Sequence, residues 1–528
     1  MSLKSNKSSS GDLTENDENP PKYGYGVRHI QLALYLLCLT VIIIGRTHIG
    51  VTIVAMTIDP KINTSLVNNT AGENNPHILT YSGNRTESES INFKRINNVY
   101  NNIALVNIDQ NYKTWSWPKS VQELVLNAFF LGYMIMMFPM GLLCQRYGGK
   151  LPLQIALFVN GIVSIATPWL TVWGDWKALC ACRILQGLSQ AGTYPCIQSV
   201  LGKWVPINER ATLGCCVHTG LTIGTVIAFQ LAGFLGSSKW GWPSIFYTTG
   251  VICLLCFILI TIFGASNPSE HKSVTEKEKN YIKGSFIDNN DKIIKTPWRA
   301  IFTSKPLWGA MTAHIGSNII SILFLNQTGT YLHFTQNIDV RNSGLLSSLP
   351  YVAGFFTMLL FGWLSDYSTN NKIVSKNNAR RISNSTANIA MATCLIMTSY
   401  TSNRIVVVIC LVVGISCNMG VNSGWMINYI DLAPDFSGTL TAIGNTLANI
   451  FNLITPAIIS YIVTDMTNIT QWRLLFFITS GVALIANTVF VILVSTDVQP
   501  WNYGEQKESC DEVKKENIKE THTIVTTL

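Results

Sequence analysis

The stretch ALYLLCLTVIIIGRTHIGVTIVAM, residues 33–56, decides the class of this protein. An apolar run from Ala33 to Gly45 meets Arg46, and a second run resumes from Ile49 to Met56. Together they exceed the roughly 20 apolar residues that cross a hydrocarbon core. A guanidinium at such depth costs roughly 2.5–3.5 kcal/mol on insertion scales, so it normally faces a watery cavity or a ligand. Arg46 stands about 13 residues, or about 20 Å of helical rise, from Asp59, too deep to snorkel easily. A second arginine, Arg183, stands in another apolar segment, and almost no acidic residue shares these segments. A negatively charged solute would supply the missing counter-charge.

Composition agrees with a membrane protein. Of 528 residues, 48% are hydrophobic and 12% charged, about half the charged share of soluble domains. Length alone would suggest several soluble domains, but the apolar runs override it. The formal charge of +8 comes mostly from loops and tails, which argues against nucleic acid as a partner. The 13 cysteines show neither a disulfide framework nor metal-ligand spacing. Residues 1–28 are polar, and the run that follows is too long for the core of a cleaved signal peptide.

We count twelve spans, at about 30–57, 121–144, 151–173, 178–201, 211–236, 243–265, 306–332, 343–366, 383–401, 404–430, 437–464 and 473–496. The expected architecture is an all-α integral membrane fold of two six-helix pseudo-repeats. It divides into a disordered tail (1–28), an N-terminal half (29–265), a linker (266–305), a C-terminal half (306–498) and a second tail (499–528). Short loops holding Arg146, Lys150, Lys203, Arg210, Lys372, Lys376, Arg380 and Arg381 put the linker and both tails in the cytoplasm. Loop 58–120 then lies outside, where Asn63, Asn68 and Asn84 head glycosylation sequons. A faint repeat supports the division: Gly141-Leu142-Leu143-Cys144-Gln145-Arg146 after the second span and Gly362-Trp363-Leu364-Ser365-Asp366 after the eighth.

These two segments resemble the loop motif G-x-x-x-D-R-x-G-R/K of the major facilitator superfamily, with Gln145 in place of the usual Asp. A narrower resemblance, to the anion:cation symporters of solute carrier family 17, rests on motifs in order. They are Arg46-Thr47-His48-Ile49-Gly50-Val51, Phe129-Phe130-Leu131-Gly132-Tyr133, Arg183-Ile184-Leu185-Gln186-Gly187, Lys203-Trp204-Val205-Pro206, Pro268-Ser269-Glu270-His271 and Asn428-Tyr429-Ile430-Asp431-Leu432-Ala433-Pro434. The group includes sialin, the vesicular glutamate transporters and sodium–phosphate cotransporter-type proteins. The resemblance implies alternating access between two halves around a midplane site. It also implies co-transport of Na+ or H+. Gln190 stands where the resemblance associates a glutamate with proton coupling, Leu126 replaces a histidine and Ser317 an arginine of the glutamate transporters. Glutamate specificity and standard proton coupling are therefore not expected.

Candidate solute ligands are Arg46, Arg183, Gln190 and Asn318, with Gln186 weaker. The planar fork of arginine suits oxyanions. Gln190 follows Arg183 by two helical turns on the same face. Arg183 is about six residues, or about 9 Å, beyond Lys177, so snorkelling is open to it. His48, His218 and His314 are candidate proton carriers, because imidazole titrates near neutral pH. Each of these polar groups also has a structural alternative as interhelical glue. The terminal Thr526-Thr527-Leu528 offers a strand for a PDZ domain.

The reading is a monomeric secondary transporter of a small organic or inorganic anion, without resident cofactor or metal. It sits in the plasma membrane by preference, a lysosomal or vesicular membrane being the alternative. Rival functions are a neutral-solute facilitator of the same fold and a non-transporting anion sensor. Enzyme chemistry is not expected, since no nucleotide loop, metal cluster or nucleophile elbow is present in the sequence.

Overall fold

The computed structural model describes residues 24–57, 112–236, 238–283, 296–336, 340–401, 403–464 and 468–503. The sequons at Asn63, Asn68 and Asn84, both tails and the terminal PDZ-type motif lie outside the described residues. The elements are helical: α1 Val27–Thr47, α2 Ile49–Met56, α3 Lys119–Tyr147, α4 Lys150–Gln190, α5 Thr193–Trp204, α6 Arg210–Gly236 and α7 Gly241–Phe263. The linker contributes α8 Glu276–Lys283 and α9 Trp298–Thr303. Then follow α10 Lys305–Phe334, α11 Val340–Asn370, α12 Lys376–Tyr400, α13 Arg404–Asn418, α14 Trp425–Leu432, α15 Ser437–Ile462 and α16 Ile469–Leu493. Among the described residues the one β contact outside these helices is a bridge between Thr57 and Trp115.

Nine stretches among the described residues are long and apolar enough to cross a membrane. One of them, Lys150–Trp204 with 55 residues, makes two passes. It turns at Asp175, whose φ of 55° and ψ of −154° are not helical and whose carboxylate accepts the indole N–H of Trp117 at 2.8 Å. α12 and α15 complete twelve crossings. Both carry buried polar side chains, Asn384 and Asn388 in α12 and Thr439, Thr441, Asn445 and Asn449 in α15, which pack inside the bundle.

Three expected spans are irregular along their length. The first has a slight break at His48, whose φ of −56° and ψ of −28° stay helical, so α1 runs on into α2. The fourth loosens at Ala191 and Gly192, also with helical φ and ψ, before α5. The tenth passes from α13 through a 3-10 turn, Met419–Ser423, into α14. Broken spans are tolerated where the freed backbone lines a cavity or meets protein.

The faint repeat becomes a symmetric pair of contacts. A Cβ at Gly141, in the second span, would meet Ala442 of α15, and one at Gly362, in the eighth, would meet Cys215 and Ala211 of α6. Beside these close approaches, Gln145 Oε1 accepts from Thr439 at 3.3 Å and from Thr296 of the linker at 2.8 Å. In the other half, Asp366 accepts the backbone N–H groups of Ala211 and Thr212 at 3.2 and 2.6 Å. Each half thus grips the start of the fifth span of the other. A carboxylate on the first N–H groups of a helix satisfies orphan donors and the positive dipole end together.

A cluster of buried charge closes the same end. Asp431 is fully buried and takes Arg210 at 3.0 Å, Lys376 at 2.9 Å and Arg380 at 2.9 Å. Further bonds between the halves run from Gln198 to Met426 O (3.1 Å), from Ser437 to Gln198 O (3.0 Å) and from Asn370 to Asn208 O (2.8 Å). Among the described residues, the polar contacts between halves gather at this linker end; Asn449 with Met137 Sδ, at 3.8 Å, lies closer to the middle.

Candidate functional site

The site forms where the break in the first span meets α3 and α4. α3 and α4 approach closely because glycines face backbone: a Cβ at Gly187 would collide with Phe129 O, and one at Gly132 with Ile184 O. Phe129 and Tyr133, four residues apart on one helical face, are thereby presented to α1 and α4. The Arg46 guanidinium carbon lies 5.2, 5.1 and 5.0 Å from the ring centres of Phe129, Phe130 and Tyr133. Arg183 lies 4.9 Å from the Phe129 ring. Both cations use that ring, so their guanidinium carbons are within about twice that distance of one another. Aromatic faces attract a cation by ~0.5–2 kcal/mol and accept it without neutralising it.

Arg183 does not snorkel, contrary to the possibility that its position near Lys177 left open. It is 2% exposed. One terminal nitrogen donates to Gln186 Oε1 at 2.9 Å and the other to the Arg46 carbonyl at 3.2 Å, at the helix break; Nε is buried without a partner. Gln186 is fixed in turn by a 3.1 Å bond to Ser164. Among the described residues, neither Arg46 nor Arg183 has a carboxylate within ion-pair distance.

His48 belongs to this group. Thr52 gives its hydroxyl proton to the His48 carbonyl at 2.9 Å, so His48 Nδ1, 3.1 Å from that hydroxyl, must be the donor. Its Nε2 is buried without a hydrogen-bond partner. Gln190 is 1% exposed, and both polar atoms of its amide lack partners. Gln186, not Gln190, is the amide that Arg183 holds. Tyr194, one turn beyond Gln190, packs against the aromatic cluster of α3 and also against the core of the C-terminal half.

Asn318 and His314 sit in the other half, on α10. His314 stacks on Trp425 with centroids 4.1 Å apart and meets Tyr429 Oη at 3.2 Å. Asn318 donates to the His314 carbonyl at 3.1 Å, one turn back on its own helix, and no bond joins it to Arg46 or Arg183. His218 stands apart on α6, its Nδ1 donating to Gly214 O at 2.7 Å and its Nε2 buried without a partner. No group of three metal-binding side chains occurs among the described residues.

The sequence reading missed Phe129, Phe130, Tyr133 and Tyr194 as parts of the site. The signal for them was present: two aromatics four apart, flanking a glycine, in the span next to an unpaired arginine.

Comparison with known proteins adds an independent line. Residues 36–456 match the Major Facilitator Superfamily. A Drosophila melanogaster protein named "Putative inorganic phosphate cotransporter" is 32% identical over 402 residues, covering 75% of this chain and 76% of the relative. Human sialin is 29% identical, with 75% and 80% covered. Vesicular glutamate transporter 1 of Xenopus tropicalis is 28% identical, with 79% and 72% covered. Among solved structures, the proton:xylose symporter XylE superposes with a TM-score of 0.62 at 14% identity over 89% of this chain and 97% of the symporter. A bacterial homologue of the iron transporter ferroportin, in an outward-facing state, follows with a TM-score of 0.57 at 12% identity over 89% and 99%.

Proposed function

The chain belongs to the major facilitator superfamily, in its anion:cation symporter branch, and from that premise we propose that this multi-pass transporter carries a small anion held by Arg46 and Arg183. The observation that carries the proposal is the pair of deep guanidinium groups with aromatic rings, an amide and a carbonyl for neighbours and, among the described residues, no carboxylate. Two like charges at most about 10 Å apart repel by roughly 2 kcal/mol at an effective dielectric of ~20. An oxyanion between them turns repulsion into two charge-assisted bonds, and a fork-shaped donor favours carboxylate or phosphate. The named relatives, a phosphate cotransporter, sialin and a glutamate transporter, support anionic cargo.

In this reading the solute reaches the arginines from the side of loop 58–111, because the bonds between halves lie at the linker end. Release toward the cytoplasm requires the Asp431 and Asp366 contacts to part while the halves rock. His48 and His314 are the proton carriers to test, and sodium is the other candidate driver.

The test is uptake of radiolabelled phosphate, urate, sialate and acidic amino acids into vesicles holding the purified protein. Arg46→Ala should bring uptake of the accepted anion to background with the protein still folded in the membrane. Normal uptake by that variant refutes the role of Arg46. Removing sodium, then varying pH, identifies the driving ion.

A further inference from the structure

A second cationic cavity lies in the C-terminal half, away from the arginines just described. It occupies about 210 Å³ where α10 and α12 end and α13 and α16 begin, at the opposite end of the molecule from the linker. Its floor is aromatic: Trp472 and Phe476 are 1% and 3% exposed and pack edge-on to Tyr331. Its charged walls are Arg404 and Arg473. The rest of the lining, apart from Ile469, is uncharged and hydroxyl- or amide-bearing, including Gln336 and Thr401.

Arg473 is aimed rather than loose. Its Nε donates to the Ser399 carbonyl at 2.7 Å, which fixes the plane of the guanidinium; among the described residues its two terminal nitrogens have no hydrogen bond or ion pair. Arg404 is exposed at the start of α13 and, among the described residues, has no ion-pair partner. Among the described residues, no acidic side chain lines the cavity. The first turns of α13 and α16 point their positive ends at the same space, and Asn403 and Asn468 orient those turns by capping Ile405 and Thr470 at 3.0 Å each. Two cations, two helix ends and several hydroxyls around an aromatic floor make a receptor for a compact oxyanion.

We infer that this cavity binds a phosphate-type oxyanion at a site separate from Arg46 and Arg183. Bound there, the anion ties together the ends of α10, α12, α13 and α16, and so holds the C-terminal half rigid at the face where solute enters. The same chemistry is offered by free inorganic phosphate and by the headgroup of an anionic phospholipid, because the cavity lies near a membrane surface.

The experiment uses the full chain purified in a phosphate-free glycoside detergent. Binding of labelled inorganic phosphate, and separately of a short-chain phosphatidylglycerol, is measured for the wild type, for Arg46→Gln, and for Arg404→Gln and Arg473→Gln each made in the Arg46→Gln background, so that the first anion site does not contribute. The expected result is binding that persists in Arg46→Gln and weakens by about tenfold in each of the other two. Arg404→Gln keeps the test sound if Arg473→Gln unfolds the protein, because Arg404 is exposed. Binding of inorganic phosphate with this pattern assigns a free anion. The same pattern with the phospholipid alone keeps the oxyanion site and assigns a headgroup. No binding of either probe, or binding that neither Arg404→Gln nor Arg473→Gln weakens, overturns the inference.

Discussion

Two groups of cations within the membrane-crossing helices of this molecule differ in one ingredient. At the linker end, Arg210, Lys376 and Arg380 converge on the carboxylate of Asp431, each within 3.0 Å. In the N-terminal half, Arg46 and Arg183 have a carbonyl, an amide and aromatic rings instead. Both groups sit in helices that cross the membrane. The first carries its counter-charge in the chain and works as a fastening between halves. The second omits it and therefore answers to whatever anion arrives. Arginine inside a membrane is thus not a signature of ligand binding by itself; the presence or absence of a protein carboxylate separates the two uses.

The sharpest way to break this comparison is Asp431→Asn. Removing one partner of a buried ion pair costs roughly 3–5 kcal/mol, because the remaining charges stay desolvated. Here three cations would be left facing an amide, so the variant should melt far below the wild type or fail to accumulate in the membrane. Thermal unfolding of detergent-purified protein measures it. A melting temperature equal to that of the wild type would show that the cluster is not a fastening.

Arg46→Gln should move stability the other way. The wild type holds two like charges across one phenyl ring, so removing one relieves repulsion of roughly 2 kcal/mol. Without added anion the variant should be at least as stable as the wild type, and the stabilisation that substrate anion gives the wild type should vanish. Opposite signs for Asp431→Asn and Arg46→Gln are the content of the comparison. A marked loss of anion-free stability in Arg46→Gln would place that arginine with the fastenings.

Gly187→Ala tests how the second group is built. The added methyl would meet the Phe129 carbonyl and the Tyr133 N–H, both backbone, so α3 must retreat from α4. Overpacking of this kind costs ~1–3 kcal/mol and shifts the rings beneath both arginines. Uptake should fall several-fold with a modest loss of stability. The same substitution at Gly481, where an added Cβ meets nothing within 4 Å, should leave uptake unchanged.

The sequence showed the fastening only in part. The twelve crossings, the two halves and the loop motif around Asp366 could be read from apolar length and spacing, because bilayer thickness imposes those lengths. Asp431 was visible only inside a family motif, since its three partners come from the first turns of two other helices, Arg210 from α6 and Lys376 and Arg380 from α12. The irregularities at His48 and at Ala191 sit inside apolar runs long enough to cross the membrane, so Arg46-Thr47-His48 and Gly192 with Pro195 did not stand out as ends of helices. Arg46 and Arg183 were legible because charge in an apolar run is rare. Their aromatic neighbours were not, because rings in a membrane span are ordinary until a third dimension places a cation on them. Gln190 was legible as a substitution at a family position, while the absence of any partner for its amide appeared only with the fold.

That amide carries the finest test. Gln190 lies two turns beyond Arg183 and one turn before Tyr194, buried, with neither polar atom bonded. Gln190→Glu adds a carboxylate to the group that lacks one and so converts it toward the Asp431 type. At neutral pH the new charge should compete with solute for the arginines and lower apparent affinity a few-fold. As pH falls and the carboxyl takes a proton, the side chain becomes neutral again and affinity should return toward that of the wild type. The wild-type amide cannot titrate, so the ratio of variant to wild-type uptake isolates this change from any titration of His48 or His314. A ratio that stays flat across pH would mean that position 190 does not share the electrostatic field of the arginines.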